Sequence, residues 1–467
     1  MRFLLRFKIS GKTPWLSEAA CFAFFSVGQF VCQKYHYKMI NRKQMTCLAK
    51  SFQGICEHGH FPVRLPFHIL SSFSHFIFIF KATSYKIKKS KQRGILTMRQ
   101  LNAFFQRQVT FNQKNLVVEL FMIFLVIGLF FVIKFQKVAD LKIDTFRIQQ
   151  SVQSSYLRYD ARAYSKTSKK GRMQQVLNEQ LSGAGKIDSG LLIQDASMIL
   201  NGQVELAQAQ LKSYSLNFAG AEGLLIPAKE SVIGNLVVAQ RLQKSHDSPR
   251  HNIQNAADYG AILFQVIAIC APFLIAYLVG DSWLVELEHK SILKNMPVNF
   301  FEKFTAHIKA NLQLSAGLFL VFPAVALLLM GLVTGFGDWN YPTAFNLMNS
   351  VITMPSWLAG LLIALYSLAI TIFMSVVAIW LNKLTKNFYA TVLSIMTILV
   401  IVTSSQTLPL VLYLTPIPYL NIAYVYSGRF LLNDHLPVGW LTGMVMILIW
   451  SVAIFFILSR QGGARND

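Results

Sequence analysis

The stretch YGAILFQVIAICAPFLIAYLVG, Tyr259 to Gly280, contains no charged side chain. An α-helix needs about 20 apolar residues to cross the hydrocarbon core of a bilayer. This stretch meets that length, and the charged segment DSWLVELEHK follows it directly. The two together predict a membrane-crossing helix that leaves the bilayer into a patterned polar segment.

Five more apolar runs of this kind lie downstream of residue 98. The six predicted spans are 116–135, 259–280, 313–335, 355–381, 388–413 and 438–458. The chain is 54% hydrophobic and 14% charged, whereas soluble domains carry about 25% charged residues. The sequence therefore predicts an all-α integral membrane protein with six transmembrane helices. The segment with Pro409, Pro416 and Pro418 is a candidate re-entrant or interfacial piece.

The distribution of positive charge predicts the orientation. Lys and Arg collect in the cytoplasmic loops of membrane proteins. Four lysines lie between the second and third spans, and the loop 336–354 has no Lys or Arg. We therefore expect a multi-pass membrane protein with both termini cytoplasmic and 461–467 as a cytoplasmic tail. The net charge of +23 then indicates a membrane topology rather than nucleic-acid binding.

The first span, which is 116–136 when its last residue is included, is followed by residues 137–258. The five-span region 259–460 comes next. The segment 137–258 is basic, but at about 120 residues it is too long to obey the positive-inside rule. Apolar residues recur at three- and four-residue steps in RMQQVLNEQL and AKESVIGNLVVAQRLQKS, which predicts helices. We expect a large, mostly helical extracytoplasmic domain.

Residues 1–97 differ in composition from the remainder. They hold sixteen Lys and Arg against two acidic residues, and four of the five cysteines. We expect a non-native or misannotated extension that precedes a true start at Met98; the alternative is a basic targeting extension. Residues 98–115 are expected to form a cytoplasmic amphipathic helix. Cys56 with His58 and His60 lacks a second cluster, so no metal site is predicted.

The charged segment lies within a predicted cytoplasmic loop, 281–312. Its acidic residues Asp281, Glu286 and Glu288 follow the second span, and Pro297 interrupts any continuous helix. Such a segment is placed to receive a push from a cytoplasmic partner.

After the proline, Phe300, Phe304 and Ile308 fall four residues apart and form an apolar stripe, with Lys303 beside it. Helices of this kind lie in the membrane interface. Coupling to a partner protein is one interpretation of this helix, and simple anchoring to anionic lipid is the other.

The sequence contains no catalytic or nucleotide-binding motif. HExxH and GxSxG are absent, and SGAGKIDSG has Gln180 and Ile187 where a phosphate-binding loop needs Gly and Ser or Thr. The spans carry no Asp, Glu, Lys or Arg near their centres, which argues against an ion-coupled transporter. We expect no enzyme activity and no cofactor in this chain.

The layout, together with GDSWLVELEHKSILKNMPVNFFEKFTAHIKAN and LTPIPYLNIAYVYSG, resembles the type-2 family of ABC transporter permeases over about residues 98–460. In that family an acidic turn, a leucine, a proline and a basic helix follow the second span. The matching positions here are Asp281, Glu286, Glu288, Leu293, Pro297 and Lys303. The Gly-Thr that is frequent in the family is replaced by Lys290 and Ser291.

The resemblance implies the permease subunit of an exporter in a bacterial plasma membrane. Its coupling residues would be Asp281, Glu286, Glu288, Leu293, Pro297 and Lys303, together with Phe300 and Phe304. It implies a separate ATP-binding subunit that binds the ATP, a second permease copy or homologous permease, contact with membrane lipids and no nucleic-acid partner. The alternative is a membrane-anchored sensor or immunity protein whose extracytoplasmic domain binds a ligand. A sensor needs an output domain, and the predicted cytoplasmic segments are short.

Overall fold

The computed structural model describes residues 112–463 apart from 137–139, 159–164, 166, 222, 289–298 and 405–408. Residues 1–97 lie outside the described residues, and so does the predicted amphipathic helix 98–115 as far as Phe111. The end of the predicted tail, from residue 464, also lies outside them. The predictions made for them therefore stay predictions.

The described chain is mostly helical and contains one small sheet. In chain order the elements are α1 (Gln113–Gln136), α2 (Leu141–Leu157), α3 (Lys169–Ile193), α4 (Ala196–Ser215), α5 (Lys229–Ser245), α6 (Ala256–Val279), α7 (Leu284–Glu288), α8 (Phe300–Ala316), a π-helical turn (Gly317–Val321), α9 (Phe322–Thr334), β1 (Pro342–Asn346), β2 (Val351–Pro355), α10 (Ser356–Thr385), α11 (Phe388–Ser404), 3-10 turns at Leu410–Leu414 and Pro418–Leu420, α12 (Ile422–Ser427), α13 (Arg429–Asp434) and α14 (Trp440–Gly463).

Within these residues, five helical stretches are long and apolar enough to cross a membrane. They are Gln113–Val132, Ala256–Val279, Phe300–Thr334, Ser356–Thr385 and Trp440–Arg460. The prediction of a membrane protein therefore holds in its general form. The fifth predicted span, 388–413, is shorter than expected: α11 ends at Ser404 and is an apolar helix of 17 residues. A sixth crossing stays a prediction.

The third predicted span differs most from expectation. It was placed at 313–335 after a loop ending at 312, but the helical stretch is 35 residues long and starts at Phe300. Asn299 and Glu302 form a capping box that begins the helix. No residue between them and Ala316 stops it, so the amphipathic piece and the span are continuous.

The mostly helical fold contains one pair of strands that the sequence did not predict. β1 and β2 form an antiparallel hairpin within the predicted loop 336–354, in the register Pro342 to Pro355 and Asn346 to Val351. The side chain of Phe345 is fully buried beneath it. The Asn346 amide donates to the carbonyls of Val425 (3.2 Å) and Val438 (2.6 Å). These long-range bonds fix the hairpin against the segment before α14.

α10 is the most enclosed of the five candidate spans. It contacts α6, α8, α11 and α14. Its buried hydroxyls are satisfied locally: Ser367 donates to the Ile363 carbonyl and Thr371 to the Ser367 carbonyl, both at 2.9 Å. Apolar surroundings require internal partners for polar groups, and these bonds supply them.

Helices α2 to α5 lie between α1 and α6 in the chain and pack on one another in sequence order; we call them the helical domain. α3 and α4 approach closely because glycines face each other: a Cβ at Gly202 would lie 2.7 Å from the Gly183 carbonyl oxygen. Asp195 caps α4 by accepting from the N–H groups of Ser197 and Met198. The core of the domain is apolar and buried, with Val152, Met173, Leu177, Ile187 and Ile199 at its centre.

The helical domain is fixed to the membrane bundle by α5 and by the linker that follows it. α5 contacts β1, β2, α12 and α13. The Lys229 ammonium donates to the Leu432 carbonyl at 3.0 Å. In the linker, the Arg250 guanidinium pairs with the Asp258 carboxylate at 2.8 Å and lies 3.8 Å from the Tyr341 ring centre. We call this end of the bundle the domain end.

Candidate functional site

The candidate site lies at the opposite end, where α6 passes into α7 and α10 passes into α11; we call it the turn end. Ser282 donates its hydroxyl to the Val279 carbonyl at 2.5 Å, and the N–H of Glu286 donates to the Trp283 carbonyl at 3.1 Å. These turns direct Trp283 and Glu286 inward, where they are 7% and 8% exposed. The charged segment therefore folds back onto the bundle.

Gly280 marks the exit from α6 because another helix passes close to it. A Cβ here would lie 2.9 Å from the Phe388 ring at the start of α11. The Asn382 amide donates to the Gly280 carbonyl at 3.0 Å, and Thr391 donates to the Asn382 side-chain oxygen at 2.7 Å. Three helices, α6, α10 and α11, are thus joined at one point.

Asp281 pairs with the first helix of the chain. Its carboxylate accepts from the Lys114 ammonium and, at 2.6 Å, from the Asn112 amide. Lys114 also donates to the Leu278 carbonyl at 2.7 Å. A cation at a helix C-terminus is favourable because the last carbonyls carry partial negative charge, so Lys114 ties the start of α1 to the end of α6.

Glu286 pairs with α8 in a buried charged cluster. The Lys303 ammonium lies 3.2 Å from one carboxylate oxygen of Glu286, and the Nε2 of His307 lies 3.9 Å from the other. The side chains of Glu286, Lys303 and His307 are 7%, 14% and 3% exposed. The capping box that starts α8 sets the position of Lys303 on the first turn.

The Glu286 carboxyl is held in its charged form. Burial alone would raise its pKa, but the nearby imidazole of His307 and the positive charge of Lys303 outweigh burial, so the pKa lies below its ordinary value. The segment 281–288 is therefore attached to α8 by a charged contact rather than by a neutral hydrogen bond.

Aromatic rings complete the attachment. The ring centre of Trp283 lies 5.4 Å from that of Phe300, and the ring centre of Phe304 lies 4.8 Å from that of Phe455 on α14. The Lys383 ammonium of α10 lies 4.2 Å from the Phe300 ring centre and 5.3 Å from that of Trp283. Cations are attracted to aromatic faces at such distances, so α7, α8, α10 and α14 meet here.

An amide deeper in the bundle repeats the pattern. Asn311 of α8 donates to the hydroxyls of Ser282 at 2.7 Å and Ser375 at 3.0 Å. All three side chains are buried. The segment after α6 is therefore bonded to α1 through Asp281, to α8 through Glu286 and Ser282, and to α10 through Asn311.

The structure brings five of the eight predicted site residues together: Asp281, Glu286, Phe300, Lys303 and Phe304. Glu288 ends α7, but its side chain is outside the described residues, as are Leu293 and Pro297.

The structure adds two facts about this cluster. Asp281 and Glu286 form ion pairs within the chain, and their contact with a partner stays a prediction. The apolar stripe of α8 packs against Val376 and Leu458 of the bundle, because the continuity of α8 with α9 holds this face against the bundle.

Sequence reasoning missed Lys114, Trp283, His307, Asn311 and Lys383. Two of them carried a usable signal, since Asn311 is an amide in an apolar helix and Trp283 stands between acidic residues. Lys114 lies 167 residues from Asp281, and no local pattern indicates that pairing.

Within the described part of the chain, no three His, Cys, Asp or Glu side chains cluster as a metal would require. Comparison of the chain with family models, with curated proteins and with solved structures finds no match.

Proposed function

We propose that this chain is the permease subunit of an ABC-type exporter in a bacterial plasma membrane, driven by a separate ATPase subunit. In this proposal the turn end faces the cytoplasm and the helical domain lies outside. A second permease copy or a homologous permease completes the translocation path, and two ATPase subunits supply the energy.

One observation carries the proposal: the segment 281–288 is held to the membrane helices by partly buried charge pairs. A partner that pushes this segment moves α8 through the Glu286–Lys303 pair and α1 through the Asp281–Lys114 pair. A polar segment that served only to anchor the chain to lipid would have no need of such internal bonds. The resemblance in the sequence to type-2 permeases supports the same function.

The test is purification of the full chain from its native membrane in mild detergent, with mass spectrometry of the proteins that accompany it. We expect an ATP-binding subunit in equal amount, whose ATP turnover rises when the permease is present. Recovery of the chain without any ATP-hydrolysing partner would contradict the proposal.

A pair of lysine variants tests the relay itself. Lys303→Gln removes the cation that faces Glu286, whereas Lys309→Gln removes an exposed cation from the same helix. We expect stimulated ATP turnover to fall in the first variant and to persist in the second. The amount of each variant in the membrane, measured in parallel, separates loss of coupling from loss of folding.

A further inference from the structure

The third candidate span is not one uniform α-helix. Between α8 and α9, residues Gly317–Val321 form a π-helical turn in which the Phe322 N–H donates to the Gly317 carbonyl. Pro323 follows and has no N–H to donate. Single π-turns inside α-helices occur frequently at functional positions, and here two irregularities of the backbone hydrogen bonding are adjacent.

The side chains around this turn are unevenly packed. A Cβ on Gly317 would have no atom from another part of the described chain within 4 Å, whereas Leu318 and Phe319 are 5% and 1% exposed. Two residues before Gly317, the hydroxyl of Ser315 is buried and has no hydrogen-bond partner among the described residues. Hydrogen bonding at 315–323 therefore departs from that of a regular α-helix.

The two halves of the helix are held by different parts of the protein. α8 is attached to the turn end through the Glu286–Lys303 pair and the Asn311–Ser282 bond. α9 is attached to the domain end: a Cβ on Gly331 would collide with the Phe336 ring, and the Phe336 carbonyl accepts from the N–H of Ala257 in α6.

We infer that residues 315–323 form a hinge. It lets α8 tilt with the segment 281–288 while α9 stays in place at the domain end. The hinge goes beyond the proposed function, because it predicts where the push is absorbed and is defined whether or not the partner is an ATPase. A tilt of about 20° over an arm of about 24 Å moves the tip of α8 by about 8 Å.

Distances between spin labels in lipid nanodiscs test the hinge without any partner protein. The native cysteines are first replaced. The distance between labels at Phe301 on α8 and Val117 on α1 then reports the position of the tip of α8. The distance between labels at Phe301 and Leu384 on α10 reports the same position along a second direction. Leu332 on α9 with Phe131 on α1 is the matched control on the other side of the turn. All five side chains are exposed.

The stimulus is Lys303→Gln with Asn311→Ala, which removes the ion pair and the amide hydrogen bond that hold α8 to the segment 281–288. We expect both Phe301 distances to broaden or shift by several ångström, about the scale of that tilt, while the Leu332–Phe131 distance stays unchanged. Adding Gly317→Ala with Pro323→Ala, which restores a regular helix, should suppress the shift.

Two results would overturn the hinge. Equal shifts in the Phe301 and Leu332 pairs would show that α8 and α9 move as one rigid rod. Unchanged Phe301 distances after release would show that the turn does not bend. Neither outcome depends on finding an ATPase, so failure of the hinge and failure of the proposed function remain distinguishable.

Discussion

Removing the charge of Glu286 should destabilise the fold by about 3–4 kcal/mol. Loss of one partner from a buried ion pair costs about 3–5 kcal/mol, because the remaining charge stays in a poorly solvated place. Lys303 keeps 14% of its side chain exposed, and a lysine stem lets the ammonium turn toward water. The lower part of that range therefore applies to Glu286→Gln.

A double-mutant cycle isolates the pair. Glu286→Gln, Lys303→Met and the double variant are compared with the parent by reversible unfolding in mixed micelles, followed by circular dichroism. We expect a coupling energy of about 1–3 kcal/mol between the two sites. The pair Lys186–Glu205 on the helical domain, 45% and 30% exposed, is the control and should couple by less than about 1 kcal/mol.

The reasoning fails if the buried pair couples no more strongly than the exposed one. That result would mean that water reaches Glu286 and that the segment 281–288 is not locked to α8. The relay proposed for this segment would then lose its physical basis.

Three further outcomes are expected. The pKa of Glu286 is lowered from its ordinary 4.5, so its contribution to stability is present above about pH 4.5 and is lost as the pH falls through its lowered value. In unfolding measurements, the stability of the parent should therefore fall more steeply across that range than the stability of Glu286→Gln, since other carboxylates such as Glu205 titrate in both proteins. Gly280→Ala would press a methyl group on the Phe388 ring and should lower the free energy of unfolding by about 1–3 kcal/mol. In the control Gly185→Ala, the new methyl group meets nothing within 4 Å, so the helix should be stabilised by up to about 1 kcal/mol. A cysteine at the exposed Gln208 should react with an impermeant thiol reagent in intact cells and one at Asn387 should not; the reverse pattern would invert the topology.

The length of the apolar runs predicted the candidate spans, because the main requirement for burial in lipid is a continuous apolar stretch. The second span was predicted to within three residues at each end, at 259–280 against Ala256–Val279. The length of the third helix was not predicted, since its first half is amphipathic and resembles a surface helix. Only the tertiary contacts of Phe304 show that this half also packs on the bundle.

The hairpin and the charge pairs could not be predicted for a different reason. β1 and β2 are five residues each and have a proline at their outer ends, which favours a loop interpretation. What makes them strands is the buried position of Phe345 and Asn346 under distant segments. Likewise, the acidic pattern identified Asp281 and Glu286 as important, but their partners come from other helices.

The contacts of α5 determine where the chain can be divided into fragments. By hydropathy, the boundary between the polar domain and the membrane region falls near residue 256, after α5 has ended. By contact, α5 belongs to both sides, since Gly234 would place a Cβ 3.2 Å from that of Ala344 in β1 and Glu230 faces Arg429. A fragment ending at residue 250 would contain α5 without the hairpin on which it packs. The face of α5 that contacts the hairpin would then be exposed to solvent. The isolated domain should therefore aggregate unless that face is made polar. Fusion partners are better inserted at the turn between α3 and α4, where the chain around Gln194 is exposed and the contact between α5 and the hairpin is kept.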